Sequence, residues 1–358
     1  TPQQGDAPLT VNFDANASND SDGTIVSYDW DFGDGQTDSG VTQNHFYSQP
    51  GSYLAQLTVT DDLGATAQTT VTITVNAVQS GLISEHGVLT GVSNQQWTTV
   101  TLNNQYNSMI VVATPVYTNT TLPLVTRIRN ATGNSFELQV QIAGTTSAVS
   151  GISVHYLVVE EGVYTVADHG VKMEAVKFDS TITDNRSSWI AQSRSYANNY
   201  TNPVVLGQVM TDNDARFSVF WARGSSRSRA PTATAFYAGK HVAEDAQTDR
   251  ANETIGYLVF EAGQGNLAGN SFLAGLGPDT VRGMTNNPPY AYSINGLSVA
   301  TTAVLSSAAM DGVNGGWPLL YGNNPVSATS INLAIDEDQL KDNERKHTSE
   351  QAAFIVLP

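Results

Sequence analysis

Hard oxygen donors crowd one stretch near the start of the chain. Asp14, Asn16, Asp20, Asp22, Asp29 and Asp31 surround the turn Asn19-Asp20-Ser21-Asp22-Gly23. Carboxylate and amide oxygens at this density are what calcium prefers, so these residues are expected to hold it. The competing reading is an Asx-rich turn whose side chains accept from nearby backbone N–H groups. A second concentration is basic: Trp221-Ala222-Arg223-Gly224-Ser225-Ser226-Arg227-Ser228-Arg229, with Arg216, holds a quarter of all Lys and Arg residues. Arginine forks engage carboxylate or sulfate bidentately, and a neighbouring indole offers a flat face to a sugar ring. Trp221, Arg223, Arg227 and Arg229 are therefore candidate ligands for an anionic polysaccharide, or else a loop whose arginines answer surrounding acids. Trp317, in the glycine-rich run Asp311–Pro318, and Tyr321 after it could stack on sugars; Trp317 could equally plug a hole at a sandwich edge. Two acidic loops, one with Glu244, Asp245, Asp249, Arg250 and Glu253, the other with Glu337, Asp338, Asp342, Arg345, His347 and Glu350, complete the inventory. Glu253 and Glu350 are candidates to bind a metal or sugar hydroxyls, against a solvated loop of internal pairs.

Most catalytic chemistry lacks its motif. There is no H-E-x-x-H, no G-x-S-x-G, no phosphate loop and no dinucleotide fingerprint. The histidines His45, His86, His155, His169, His241 and His347 are scattered, and the absence of cysteine removes thiolate sites, cysteine nucleophiles and disulfides. Whether the chain is an enzyme stays open at this level, with the residues favouring a non-catalytic role. Net charge is −17, from 33 acidic and 16 basic residues, which repels phosphate backbones and argues against nucleic acid. No apolar run approaches the roughly 20 residues that span a bilayer, so membrane insertion is not expected. The first residues lack the pattern of a signal peptide, and the chain is expected to be a mature or trimmed piece of something longer.

Strands must position these groups. Hydrophobic residues make up 40% and charged residues 14%, with Thr, Ser, Asn and Gly supplying polarity, a composition that suits all-β extracellular proteins. Leu9, Val11 and Phe13 alternate with polar residues, as do Tyr53, Ala55, Leu57 and Val59, then Val71, Ile73 and Val75. Asp34-Gly35 and Leu63-Gly64 carry turn chemistry, and Trp30 and Phe32 are expected to be core. Around Trp30-Asp31-Phe32-Gly33-Asp34-Gly35 run Ala7–Ala15, Asp22-Gly23-Thr24-Ile25, His45-Phe46-Tyr47, Pro50-Gly51-Ser52-Tyr53 and Leu57–Asp61. In that order they resemble a PKD (polycystic kidney disease) domain, which implies an immunoglobulin-like sandwich outside the cell.

The rest repeats itself. Tyr156–Gly162 recurs as Tyr257–Gly263 and as Phe354–Pro358, about 100 residues apart. Met109–Val112 keeps step with Pro203–Leu206 and Thr302–Leu305, and Glu85–Val88 is aligned with Asp168–Val171 and Asn270–Leu273. That last alignment makes His86 and His169 equivalent. Each unit is expected to carry a polar strand with an aromatic (Trp97, Trp189 or Tyr292) and no helix of a dozen residues. The expected fold is thus all-β: an N-terminal Ig-like β-sandwich (PKD) over 1–77, then three tandem small antiparallel β-sandwich repeats over 81–166, 167–266 and 267–358. The third unit closes on its final strand, so the last module is expected to be complete.

The strand order of these units resembles H-type lectin-like modules, which implies that three could form a triangle within one chain. Together the resemblances point to a secreted or cell-surface carbohydrate-binding protein with a PKD spacer. Its expected partner is a polysaccharide or glycoconjugate. The alternatives are a self-associating subunit of an extracellular fibre, sheath or adhesin, or a non-catalytic part of a polysaccharide-degrading enzyme.

Overall fold

Residues that alternate in polarity become strands along almost the whole chain. The computed structural model describes all residues except 1, 7–8, 48–50, 77–80 and 145–146. Two units, Thr1–Ser80 and Gly81–Pro358, each have their own core. In the first, β1 (Gln4–Asp6), β7 (Thr66–Asn76), β6 (Gly51–Asp61), β3 (Ile25–Asp31) and β4 (Thr37–Ser39) form one sheet in that order. The ribbon of β2 (Leu9–Asp14) and β5 (Thr42–Tyr47) is the other. Strand β2 buries Leu9, Val11 and Phe13 and exposes the residues between, as period-two strands over a core do.

Trp30 lies in this core, its Nε1–H donating to the Gly40 carbonyl at 2.9 Å. Phe13 sits 5.2 Å from both Trp30 and Phe32, and Tyr47 donates to the Phe32 carbonyl at 2.9 Å. Ile25 and Tyr28 are half-buried. The Gly33 of the Trp-Asp-Phe-Gly motif is required by space: at φ +76° a Cβ there would lie 2.7 Å from the Leu54 carbonyl oxygen.

The second unit holds three β-sandwich repeats. In the first, β8 (Ser84–Val92), β12 (Ile152–Glu160) and β10 (Met109–Tyr117) lie side by side, and β9 (Thr98–Tyr106) pairs the long β11 (Leu124–Ile142). The second begins with β13 (Gly162–Tyr164) and one helical turn, α1 (Val166–His169), capped by Thr165 and by left-handed Gly170. Its β14 (Met173–Ser180), β20 (Glu253–Glu261) and β17 (Pro203–Val209) extend β13. They are accompanied by β15 (Thr183–Asp184), β16 (Gln192–Arg194), β18 (Val219–Arg223) and β19 (Phe236–His241). The third places β21 (Gly263–Leu267), β22 (Asn270–Leu276), β27 (Ala352–Leu357) and β24 (Thr302–Ala308) in one row. Its β25 (Trp317–Tyr321), β26 (Ser330–Asp336) and β23 (Tyr290–Ser293) form the other.

Equivalent strands converge. Ala113 pairs Tyr156, Gly207 pairs Tyr257 and Leu305 pairs Phe354, so β10, β17 and β24 correspond position by position. At these positions the backbone N–H groups are handed round a ring. Ala113 donates to Gln208 Oε1 (3.4 Å), Gly207 to Ser306 Oγ (3.0 Å) and Leu305 to Thr114 Oγ1 (2.8 Å). Each polar side chain follows the donor position in its own repeat and serves a neighbour, which satisfies buried donors that no strand ladder reaches. The sheets also run on across the seams: β10 pairs β25 and β24 pairs β18, both in parallel. One core cluster draws residues from all three repeats.

Two details depart from the sequence reading. Glu85, Glu174 and Leu273 face Val158, Val259 and Val356, so they are the true equivalents at the start of each repeat. His169 belongs to α1, ahead of that strand, and does not match His86. Trp189 is not on a strand but in the loop between β15 and β16, at φ +53°. A short-range match of His-Gly-Val letters outweighed the register that only strand pairing reveals.

Candidate functional site

The expected calcium ligands do not converge. Asp14 Oδ1 accepts from the backbone and side-chain nitrogens of Asn16 (2.8 and 2.7 Å), and Asp20 Oδ1 from Asp22 N (3.5 Å). Asp31 Oδ1 accepts from Gly33 N (2.9 Å), while Asp29 accepts from Ser27 Oγ (3.2 Å). The backbone contacts of Asp14, Asp20 and Asp31 are Asx turns closing on themselves, while Asp29 is held by a neighbouring hydroxyl. Among the described residues no three His, Asp or Glu side chains stand together as a metal-ligand set.

The basic segment is divided by burial. Trp221 is wholly buried and offers no face to a sugar. Arg227 stacks 4.7 Å above Trp189 and donates to the carbonyls of Asp311 (3.1 Å), Met310 and Gly312 (both 3.4 Å). It therefore ties the second repeat to the third. Arg223 lies 4.3 Å over the Tyr237 ring, and Arg229 is exposed. Arg223 is half-buried, as Arg227 is; Arg216, its side chain 41% exposed, is paired to Asp214, and Arg229 is the exposed arginine of the patch.

Trp317 is also buried, at 4% exposure, its indole N–H donating to Leu124 O at 2.8 Å. It packs with Val125 and Ala143 of the first repeat and Phe217, Val219 and Ala243 of the second, and so fills the junction of the three. An exposed role for it is corrected by this burial. Tyr321 is half-buried in the parallel pair with Tyr117. Glu253 accepts from Thr211 Oγ1, Asn213 N and Asp214 N, and Glu350 from Asp311 N (2.8 Å) and Gly312 N (2.6 Å). Both carboxylates are buried and hold the loop after β17 or β24; neither faces a ligand-accessible surface.

A polar concavity that none of these residues lines lies between the first and second repeats. A cleft of about 380 Å³ is lined by Asn94, Gln95, Arg127, Gln139, Gln141 and Asp212, with Val140, Ile142 and Ala215. Gln139 and Gln141 share one face of β11 by strand periodicity, and Asn94 and Gln95 enter from the β8–β9 loop. Arg127 is buried at the base. Its guanidinium donates to Gln141 Oε1 (2.6 Å), Arg216 O (2.9 Å), Asp214 O (2.8 Å) and Asp212, while its Nε has no partner among the described residues. Thr98 pairs Leu138, which places Trp97 opposite Gln139, and the Arg129 guanidinium stacks 4.2 Å from that indole. Asn94 is engaged by Ser147 O (2.7 Å) and Val149 N (2.8 Å), Gln95 Nε2 by Asn94 Oδ1 (2.9 Å), and Gln141 by Arg127 and Ala215 O (2.7 Å), which leaves Gln139 and the second hydrogens and lone pairs of the others to meet hydroxyls.

None of these cleft residues is among the sequence candidates. The available signals were the polar alternation Gln139-Val140-Gln141 and the Asn94-Gln95-Gln96 run before Trp97; Asp212, on another repeat, carried none. At the corresponding seam between the second and third repeats, Trp189, Trp221 and His241 are in mutual ring contact at 5.5 to 6.2 Å.

Residues 1–75 match the PKD domain family. Over that part the chain is 43% identical, across 74 residues, to a collagenase of Bacillus cereus, covering 21% of this chain and 8% of that protein. It is 57% identical over 49 residues to a pre-pro-metalloprotease of Vibrio cholerae, covering 14% of this chain and 5% of that one. Halomucin of Haloquadratum walsbyi is 26% identical over 326 residues, 85% of this chain but 3% of its own length. The chain thus spans less than a tenth of each of these relatives. Among solved structures, the PKD1 domain of Vibrio anguillarum Epp is 46% identical, with a TM-score of 0.19, covering 20% of this chain and 86% of that one. A carbohydrate-binding module of the β-sandwich superfamily is 19% identical, with a TM-score of 0.21, covering 45% of this chain and 90% of that one.

Proposed function

We propose that this is an extracellular carbohydrate-binding protein in which a PKD domain acts as spacer and the three-repeat unit binds sugar in the cleft between its first and second repeats. The observation that carries this reading is the lining of that cleft: four amide side chains, Asn94, Gln95, Gln139 and Gln141, above a buried arginine whose geometry is fixed by four acceptors. Pre-set polar groups in a concavity of a few hundred Å³ are what small-ligand sites generally provide. The PKD match supports an extracellular setting, and the convergence of three sandwiches around one core supports a lectin-like organisation.

Selectivity for acidic sugars, on this proposal, comes from the exposed Arg229 and the half-buried Arg223 of the basic patch. A glycan array probed with the full chain tests both parts. Binding to at least one glycan is expected, with loss of signal in a Gln139→Ala/Gln141→Ala double variant. Array signals unchanged by that variant would remove the cleft from the function. Equal retention of sulfated and neutral glycans, unaltered by Arg223→Ala and Arg229→Ala, would remove the acidic preference.

A further inference from the structure

One buried acid in the third repeat has no hydrogen-bond partner among the described residues. Glu337 is 1% exposed, and neither carboxylate oxygen has a hydrogen-bond partner among the described residues. The strand registers show how unusual its position is. Val219 opens β18 opposite His241, and Trp317 opens the equal-length β25 opposite Asp336. Glu337 thus stands where the second repeat has Val242, an apolar residue that is itself fully buried. A carboxylate at a core position carries a substantial desolvation cost.

Its surroundings make the cost larger. Burial first, and then the carboxylates of Glu344, Asp336, Glu244 and Asp342, push its pKa up to about 9. The basic groups nearby are committed to other acids: Arg345 to Asp336 (2.8 and 2.6 Å), Arg186 to Glu244, and Lys341 to Glu244 at 3.9 Å. Asp338 is satisfied by Glu244 N (2.7 Å) and Leu340 N (2.9 Å). Glu344 uses Oε1 to accept from Asn314 (3.2 Å), and Asp342 uses Oδ1 to accept from Glu344 N (3.0 Å). Among the described residues each keeps a second oxygen without a hydrogen-bond partner, and both residues lie on the exposed part of the loop that begins at Glu337.

We propose that this loop binds a divalent cation of the calcium class, with Glu337 as the buried ligand and Asp342 and Glu344 as the exposed ones. An all-oxygen, carboxylate-rich set selects a hard cation and excludes soft metals. The three do not already stand in a coordinating array; the site forms when the exposed Asp342 and Glu344 side chains turn toward Glu337. The ion supplies the positive charge that the committed basic residues do not. This site is separate from the sugar cleft, and its test does not depend on sugar binding.

The test is calorimetric titration of calcium into the chelator-treated full chain, alongside Glu337→Val and Glu337→Gln. The Val change copies the second repeat and is expected to fold. Wild type should bind calcium, with a melting temperature that rises on its addition. Both variants should lose one equivalent, or weaken that site by more than about tenfold, and lose the corresponding part of the melting shift. An Asp20→Asn/Asp22→Asn variant in the first unit should keep that equivalent. Equal calcium stoichiometry in wild type and Glu337→Val, or a wild-type melting temperature indifferent to calcium and chelator, would overturn the proposal and leave Glu337 a neutral buried acid.

Discussion

Glu337 shows how one residue can set a pH dependence for the whole unit. Burial, then the carboxylates of Glu344, Asp336, Glu244 and Asp342, raise its pKa from 4.5 to about 9 on folding. Between those values the metal-free folded protein holds a proton that the unfolded chain has released. This contribution to stability is therefore greatest below about pH 4.5 and is lost as pH rises toward 9. Urea unfolding in chelator should show midpoints declining over this window, with the decline reduced in Glu337→Gln, which cannot ionise. An identical pH profile in the variant would show that other groups carry the dependence. Such a burial is invisible in the chain itself: Asp336-Glu337-Asp338 reads as a solvated acidic loop, and only the third dimension makes it core.

Strands and seams decide stability at the next scale. One arginine crosses each seam to the loop that follows the converging strand of the next repeat. Arg127 reaches Asp214 and Arg216, Arg227 reaches Met310 to Gly312, and Arg345 reaches Thr121 (2.6 Å) and Asn119 (3.4 Å). Arg345 differs in also holding the fully buried Asp336, to which Tyr117 donates at 2.7 Å. Arg345→Ala should cost about 3–5 kcal/mol, because it strands a buried charge. Arg227→Ala, which frees only neutral carbonyls, should cost about 1–3 kcal/mol. Chemical denaturation giving the opposite order would refute this division of roles. Removing one acceptor from the central ring, by Thr114→Val, leaves the Leu305 N–H buried without a partner and should cost about 1–3 kcal/mol by the same measurement. A neutral result would mean that water or a shifted strand takes over.

Across the whole molecule, the two units have separate cores, one of residues Leu9 to Val75 and one drawn from all three repeats. Differential scanning calorimetry should accordingly resolve two transitions, and a fragment of residues 81–358 should reproduce one of them unchanged. A single transition that disappears in the fragment would contradict independent folding. The net charge of −17 adds self-repulsion to both units. Raising NaCl from about 0.01 M to about 0.15 M shortens the screening length from about 30 Å to about 8 Å and should raise both melting temperatures.

The all-β class, the PKD sandwich with Trp30 and Phe32 inside it, and the recurrence of the closing strands at Tyr156, Tyr257 and Phe354 are legible in the order of residues alone. These are local properties: side-chain period, turn chemistry and apolar content act within a strand and its hairpin. Tertiary structure decided which polar and aromatic residues face a ligand. Trp221, Trp317, Glu253 and Glu350 carry binding chemistry on paper but are buried: Trp317 fills the junction of the repeats, and the two carboxylates anchor loops of their own repeats. The amide-lined cleft joins Asn94 to Asp212, and no pattern along the chain brings them together. Their meeting follows from three sandwiches closing on one core, an arrangement stabilised by burial between repeats rather than by any preference within one.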